Sequence, residues 1–144
     1  MFDEAFRARF APASRPVARI LLRAGVTANH VTIAAFALAV VAAAMVAGDR
    51  PCVGLALWLL SRIGDGLDGV VAREGGLPSS FGGFLDITLD MAAYALMVLG
   101  FAALYPEYAV AWAAVLAGYV LVITTTLALS AAATAAARVV SATD

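Results

Sequence analysis

Two stretches of this chain carry no charged residue over more than the thickness of a bilayer. Ala24 to Gly48 gives 25 uncharged residues and Tyr108 to Ala137 gives 30. A helix needs about 20 predominantly apolar residues to cross the hydrocarbon core, so each run is long enough. Backbone N–H and C=O groups find no water there, and a run of this kind must satisfy them internally, as helix. The composition agrees: 13% of the 144 residues are charged, against about 25% in an ordinary soluble domain. The N-terminus opens with the acidic Asp3 and Glu4, unlike the basic start of a cleaved signal, so the first run reads as a retained span. The expected fold is all-α, an integral membrane helical bundle.

Residues 1–25 read as an interfacial segment. All nine basic residues are Arg, and five of them (Arg7, Arg9, Arg15, Arg19, Arg23) fall here. Arg15, Arg19 and Arg23 recur every four residues, with Val17, Ile20, Leu21 and Ala24 on the other side. This predicts a basic amphipathic helix on the membrane surface, starting at Pro16 and closed by Gly25. A core of about four membrane helices over residues 26–137 follows. Thr27 or Asn29 caps the first, roughly 30–48. A third runs from about Phe81 to Leu104 and a fourth over about 108–134, after the turn at Pro106 and Glu107. Residues 138–144 are expected as a polar tail.

The second helix is hidden from hydropathy, because only 11 uncharged residues separate Arg50 from Arg62. Extended from Cys52 to about Arg73 it reaches about 33 Å, enough to span, but then it carries Arg62, Asp65 and Asp68. The third helix carries Asp86 and Asp90. Spacings of three and four put each pair on one helix face. An unpaired Asp in a bilayer costs roughly 2.5–3.5 kcal/mol or more, so such groups turn inward and are functional by default. Arg62 and Arg73 compensate two of the four charges. A divalent cation would balance the rest, and ligation by oxygen alone suits Mg2+ or Mn2+. A cation or proton pathway of a transporter is the competing reading. Cys52 and His30 are each single in the sequence, which excludes an intrachain disulfide and a His-rich zinc site.

The pattern Asp65-x2-Asp68-Gly69-x2-Ala72-Arg73-x8-Gly82-x3-Asp86-x3-Asp90 resembles the complete signature of the CDP-alcohol phosphotransferase (CDP-alcohol phosphatidyltransferase) family, with eight specified positions in 26 residues. "TANHVT" is similar to the family's Asn-x-x-Thr segment before its first span. The resemblance implies a membrane enzyme of phospholipid synthesis that moves a phosphoalcohol group from a CDP-linked donor to an alcohol acceptor and releases CMP. It implies Mg2+ or Mn2+, two ions, on Asp65, Asp68, Asp86 and Asp90, with Asp90 also the general base. Asn29, Thr32, Gly69, Ala72, Arg73, Ser79 and Gly82 are implied to contact the donor. It further implies membrane lipids and a homodimer as partners, and no nucleic acid. Family members have six membrane helices, so the last two are expected to be lacking here, and an inactive short relative is the remaining alternative. Members that use phosphorylated acceptors carry basic residues near the end of helix four, where this chain has none before Arg138.

Arginine asymmetry orients the bundle. With the N-terminus cytosolic, the inner segments hold the five early Arg, Arg73 and Arg138, and the outer turns hold only Arg50. Both carboxylate pairs then lie at the cytosolic face, joined by the loop "EGGLPSS", in what is expected to be a bacterial inner membrane. Single Ser79→Cys and Ser80→Cys variants should be labelled by an impermeant thiol reagent from the cytosolic side, with Cys52 reached only from outside or not at all. Labelling of Ser80→Cys from the outer face would overturn this orientation.

Overall fold

The computed structural model describes residues 14–76 and 79–143. Residues 1–13, with Arg7 and Arg9, lie outside the described residues, as do Leu77 and Pro78 of the loop and Asp144. Among the described residues all regular structure is helical: α1 (residues 14–23), α2 (Ala28–Ala47), α3 (Pro51–Glu74), α4 (Ser80–Leu104), a single 3-10 turn (Pro106–Tyr108) and α5 (Ala109–Thr143).

Local chemistry explains the boundaries. Thr27, not Asn29, caps α2: its hydroxyl accepts from the His30 N–H, and His30 Nδ1 accepts from the Thr27 N–H at 3.2 Å. This reciprocal capping box satisfies two orphan donors and gives the lone histidine its place. The α2–α3 turn needs one left-handed residue, taken by Asp49 at φ 60°, a conformation Asp tolerates better than most residues. Pro51 then opens α3, where its missing N–H costs nothing. Gly25, at φ 76°, ends α1 as the sequence suggests.

α3 returns antiparallel along α2. Gly54 lies against Val46 and Ala42, Ser61 and Gly64 against Ala35, and Asp68 against Thr32. α4 lies on α2 in the parallel sense, with Gly82 beside Asn29 and Gly100 beside Ala43. α2 therefore packs against both neighbours, and α5 packs against α4. The seam is built of small residues: Ala35, Ala39, Ala42 and Ala43 are buried on α2. Apolar lipid offers no hydrophobic gain for helix association, so close approach of small residues supplies the contact instead.

Three helices, Ala28–Ala47, Ser80–Leu104 and Pro106–Ala135, are long and apolar enough to cross a membrane. α3 is not among them, because its C-terminal half carries Arg62, Asp65, Asp68, Arg73 and Glu74. Its 24 residues nonetheless rise about 36 Å along the whole of α2, so the chain is an integral membrane bundle with α3 as its polar member.

One expectation changes, and α1 gains a docking face that the sequence did not show. α5 continues to Thr143, past the expected end near 134 and through most of the segment read as a polar tail. The Ala-rich sequence is the reason, since Ala is the strongest helix former and no Gly or Pro follows Gly118 in the helix. In α1 the buried stripe is Ala18 with Leu21 and Leu22, packed on Val31, Val70 and Val71. Val17 and Ile20 are exposed beside it, leaving an apolar strip for the membrane interface, and the basic strip is tied to the bundle by Arg19 on Glu74 at 3.0 Å and Arg15 on Glu74 at 3.5 Å.

A Cβ at Gly100 would lie 2.7 Å from the Ala43 carbonyl oxygen, whereas one at Gly118 meets nothing within 4 Å. Gly100→Ala should therefore destabilise the bundle by about 1–3 kcal/mol, and Gly118→Ala should not. Thermal unfolding in detergent checks this; equal stability of the two variants would contradict the α2–α4 seam.

Candidate active site

The antiparallel return of α3 and the parallel course of α4 bring the C-terminal part of α3 and the N-terminal part of α4 to the same end of α2. Asp65, Asp68 and Asp86 each offer a carboxylate oxygen there, all within 4.8 Å of one another. Asp68 is buried at 6% exposure; Asp65 and Asp86 are half-buried. Asp68 Oδ2 accepts a 2.6 Å hydrogen bond from Thr32 Oγ1, which fixes the innermost carboxylate to α2. Three carboxylates so close repel strongly unless a cation sits among them. The donor set is oxygen only, with no Lys, Cys or His in the group, which fits a hard divalent ion such as Mg2+ or Mn2+.

A cavity of about 230 Å3 opens beside the cluster, lined by residues of α2, α3 and α4. All seven residues singled out in the sequence as donor contacts (Asn29, Thr32, Gly69, Ala72, Arg73, Ser79 and Gly82) line it, together with Asp68 and Asp86. Two glycines leave room for close approach. A Cβ at Gly69 would stand 3.3 Å from Arg73 Nη1, so its absence lets the guanidinium fold over the helix; one at Gly82 would stand 3.0 Å from Ser79 Oγ and 3.2 Å from Asn29 Oδ1. Ser79 caps α4, its Oγ accepting from the Gly82 N–H at 2.9 Å. The positive end of the α4 dipole thus faces the cavity, a favourable place for an anion. Arg73 has no carboxylate partner among the described residues, so its charge is available there.

Asp90 stands apart from the other three acids. Its Oδ1 is engaged by Arg62 Nη1, and Arg62 approaches Asp65 only at 3.7 Å. The sequence pattern grouped all four aspartates; the structure gathers three and pairs the fourth. Arg62 was legible only as nearby compensating charge, although its position three residues before Asp65 hinted at more. Trp58 and Tyr94, whose rings flank the Arg62 guanidinium at 4.7 and 5.2 Å, were missed, as were Ala28 and Gly83 in the cavity wall. Trp58 and Tyr94 each lie four residues from a charged site residue, and that spacing is the signal that could have found them.

Three clustered carboxylates and a cavity lined by Arg73 and the N-terminal end of α4 thus lie together at one end of a membrane helix bundle. Residues 25–143 match the family described as CDP-alcohol phosphatidyltransferase, and the chain belongs to that family. Among its relatives, the inner membrane protein YnjF of Escherichia coli is 38% identical over 74% of this chain and 52% of its own length. A phosphatidylinositol phosphate synthase of Mycobacteroides abscessus is 43% identical over 60% of this chain and 40% of its own length. The chain spans about half the length of the curated relatives it matches. The Mycobacterium tuberculosis phosphatidylinositol phosphate synthase solved with manganese and citrate aligns with a TM-score of 0.62 at 31% identity, over 65% of this chain and 45% of that one. The same enzyme with CDP-DAG bound aligns at 0.61 and 26% identity, over 79% of this chain and 57% of that one.

The cluster geometry is testable without turnover. Mn2+ titration followed by electron paramagnetic resonance should show binding to the parent chain, and Asp68→Ala should lose it, since the remaining acids cannot restore the buried ligand. Parental Mn2+ binding by Asp68→Ala would rule out a shared three-carboxylate site.

Proposed function

We propose that this chain carries the catalytic site of a metal-dependent CDP-alcohol phosphotransferase, which moves a phosphatidyl-type group from a CDP-linked lipid to an alcohol acceptor and releases CMP. The observation that carries the reading is the juxtaposition of the three-aspartate cluster with a cavity lined by Gly69, Ala72, Arg73 and Gly82 of the signature. Manganese and CDP-DAG in the related structures support the choice of cation and donor. The clustering of all four aspartates at one end of the bundle speaks against a transport pathway, which needs polar groups along its length.

In this reading Asp65, Asp68 and Asp86 hold Mg2+ or Mn2+, two ions by the family pattern, with Asp90 alongside. When bound, the cations neutralise the pyrophosphate and stabilise the departing phosphate. The chain's own residues do the rest. Thr32 orients Asp68. Arg73, without a carboxylate partner among the described residues, grips phosphate oxygens through charge-assisted hydrogen bonds. Ser79 and Gly82 bring the N-terminal end of α4 to the same anion, and Asn29 closes the cavity from α2. Asp90 takes the proton of the acceptor hydroxyl as its oxygen attacks phosphorus, and the phosphorus–oxygen bond to CMP breaks. The site faces the cytosol of a bacterial inner membrane, where nucleotide-linked donors are made. A homodimer belongs to the same reading, and the α5 span, with none of its residues buried in the single chain, leaves surface for a second copy or for lipid.

Release of CMP from CDP-diacylglycerol, with Mn2+ or Mg2+ and a panel of alcohols, tests the reaction; no release with any CDP-linked donor would overturn it. Asp90→Asn should lower turnover by about 10² or more while leaving donor binding nearly unchanged. Arg73→Ala should weaken donor binding first. If Asp90→Asn turned over at the parental rate, the base would lie elsewhere.

A further inference from the structure

α1 has three sides, and the bundle occupies one of them. Successive residues step about 100° around a helix, so Ala18, Leu21 and Leu22 share one side, Arg15, Arg19 and Arg23 the next, and Val17, Ile20 and Ala24 the third. The first side docks: Ala18 is fully buried, and all three residues pack on Val31 of α2 and Val70 and Val71 of α3. Leu22 also lies close on Gly75, where a Cβ would stand 3.1 Å from it, so the rotation of α1 is fixed. The third side is open, with Val17 46% and Ile20 63% exposed. The basic side is open too. Arg15 and Arg19 share the one carboxylate of Glu74, at 3.5 and 3.0 Å, yet their side chains stay 60% and 63% exposed. Arg23 is exposed and has no carboxylate partner among the described residues. Three guanidiniums against one carboxylate leave an excess of two positive charges along this edge. The height of α1 says what lies beside it. Val31 stands in the first turn of α2, a helix long and apolar enough to span, so α1 lies where that span leaves the hydrocarbon. At this level an apolar strip meets acyl chains and a basic edge meets headgroups.

We propose that the basic side of α1 is a recognition surface for anionic phospholipids of the surrounding leaflet. Arg23 and the open faces of Arg15 and Arg19 take headgroup phosphates, while Val17, Ile20 and Ala24 enter the acyl region. A guanidinium suits this task because its planar fork of N–H donors matches phosphate oxygens. Charge complementarity selects the lipid, since each arginine near a negatively charged leaflet adds attraction that a zwitterionic leaflet does not return. Glu74 is the built-in competitor. Beside zwitterionic lipid Arg15 and Arg19 remain on its carboxylate, and beside anionic lipid the phosphates contend for the same N–H groups. The surface is separate from the donor cavity. Val70, Val71 and Glu74 of α3 turn towards α1, whereas Gly69, Ala72 and Arg73 line the cavity.

The experiment places a fluorophore on the open apolar side, through Ile20→Cys in a Cys52→Ser background, in the full chain. The chain is reconstituted in nanodiscs of phosphatidylcholine and phosphatidylglycerol in equal amounts, with bromine carried by the acyl chains of one lipid or the other as quencher. The ratio of the two quenching efficiencies gives the preference of the α1 surroundings for the anionic headgroup. It should favour phosphatidylglycerol by about fivefold or more and weaken as salt is raised. Arg23→Gln should lower the preference by about twofold, and Arg15→Gln, Arg19→Gln and Arg23→Gln together should bring it to about unity. Glu74→Gln should raise it, because two arginines lose their competitor; an unchanged preference there would overturn the competition. Equal quenching by both lipids in the labelled parent would overturn the proposal. So would quenching by neither, which would mean that protein covers this face, and so would a preference that survives the triple substitution. Should the triple variant not fold, Arg23→Gln decides alone: it breaks no ion pair among the described residues, and an undiminished preference there overturns the proposal equally.

Discussion

The close contact of α2 with its two neighbours is the constraint on which the rest of this structure depends. Alanines on α2 and glycines on α3 and α4 let the backbones approach until a methyl group would clash at Gly54 and Gly100. Because α2 contacts both helices along its length, α3 and α4 are separated at the backbone and meet through long side chains. The carboxylates of α3 and α4 project into that interval. Larger residues along the seam would widen it, and three oxygens drawn from two helices could no longer surround one ion.

Charge is managed locally in this apolar chain. Each ionised group in a bilayer-embedded bundle needs a partner or a ligand, and the described charges largely comply. Glu74 receives Arg15 and Arg19, which ties the interfacial α1 to the end of α3. Arg62 receives Asp90. Asp68 receives the Thr32 hydroxyl. Near the cavity the cluster of Asp65, Asp68 and Asp86 remains, with Arg73, which has no carboxylate partner among the described residues: a cation would satisfy the first and a phosphate the second. A metal-bound pyrophosphate satisfies both, and for that reason the cavity between them is read as the donor site.

The same end of the bundle gathers other polar elements: the α2 capping box, the Ser79 cap of α4 and the Gly75–Gly76 turn after α3. The opposite end is closed by aromatic packing, with Phe101 stacked on Trp112 at 5.9 Å and the Trp112 indole donating to the Tyr105 carbonyl at 3.0 Å. Polar loops, caps and α1 at one end and aromatic closure at the other make the two ends of the bundle chemically different.

Membrane residence, the course of the helices and the residues that line the cavity were legible in the sequence because they depend on local quantities. Uncharged length decides whether a segment can span, and helical spacing decides which residues share a face. The family pattern then added roles that spacing alone leaves open between a metal site and a transport path. Local rules also misled where a neighbour rather than the helix itself decides. α5 ran on past its expected end because alanine continues a helix whether or not it is in the bilayer. On α1 the apolar side was legible but the residues that dock on the bundle, Ala18, Leu21 and Leu22, were not, since the surface formed by Val31, Val70 and Val71 chooses them. What only the tertiary structure decided is the division among the aspartates. On a helix face Asp86 and Asp90 are equivalent; across the gap one meets Asp65 and Asp68 while the other meets a guanidinium braced by Trp58, Tyr94 and Ser61. Sequence spacing is blind to that difference, because it is set by distances between helices and by which long side chain reaches first.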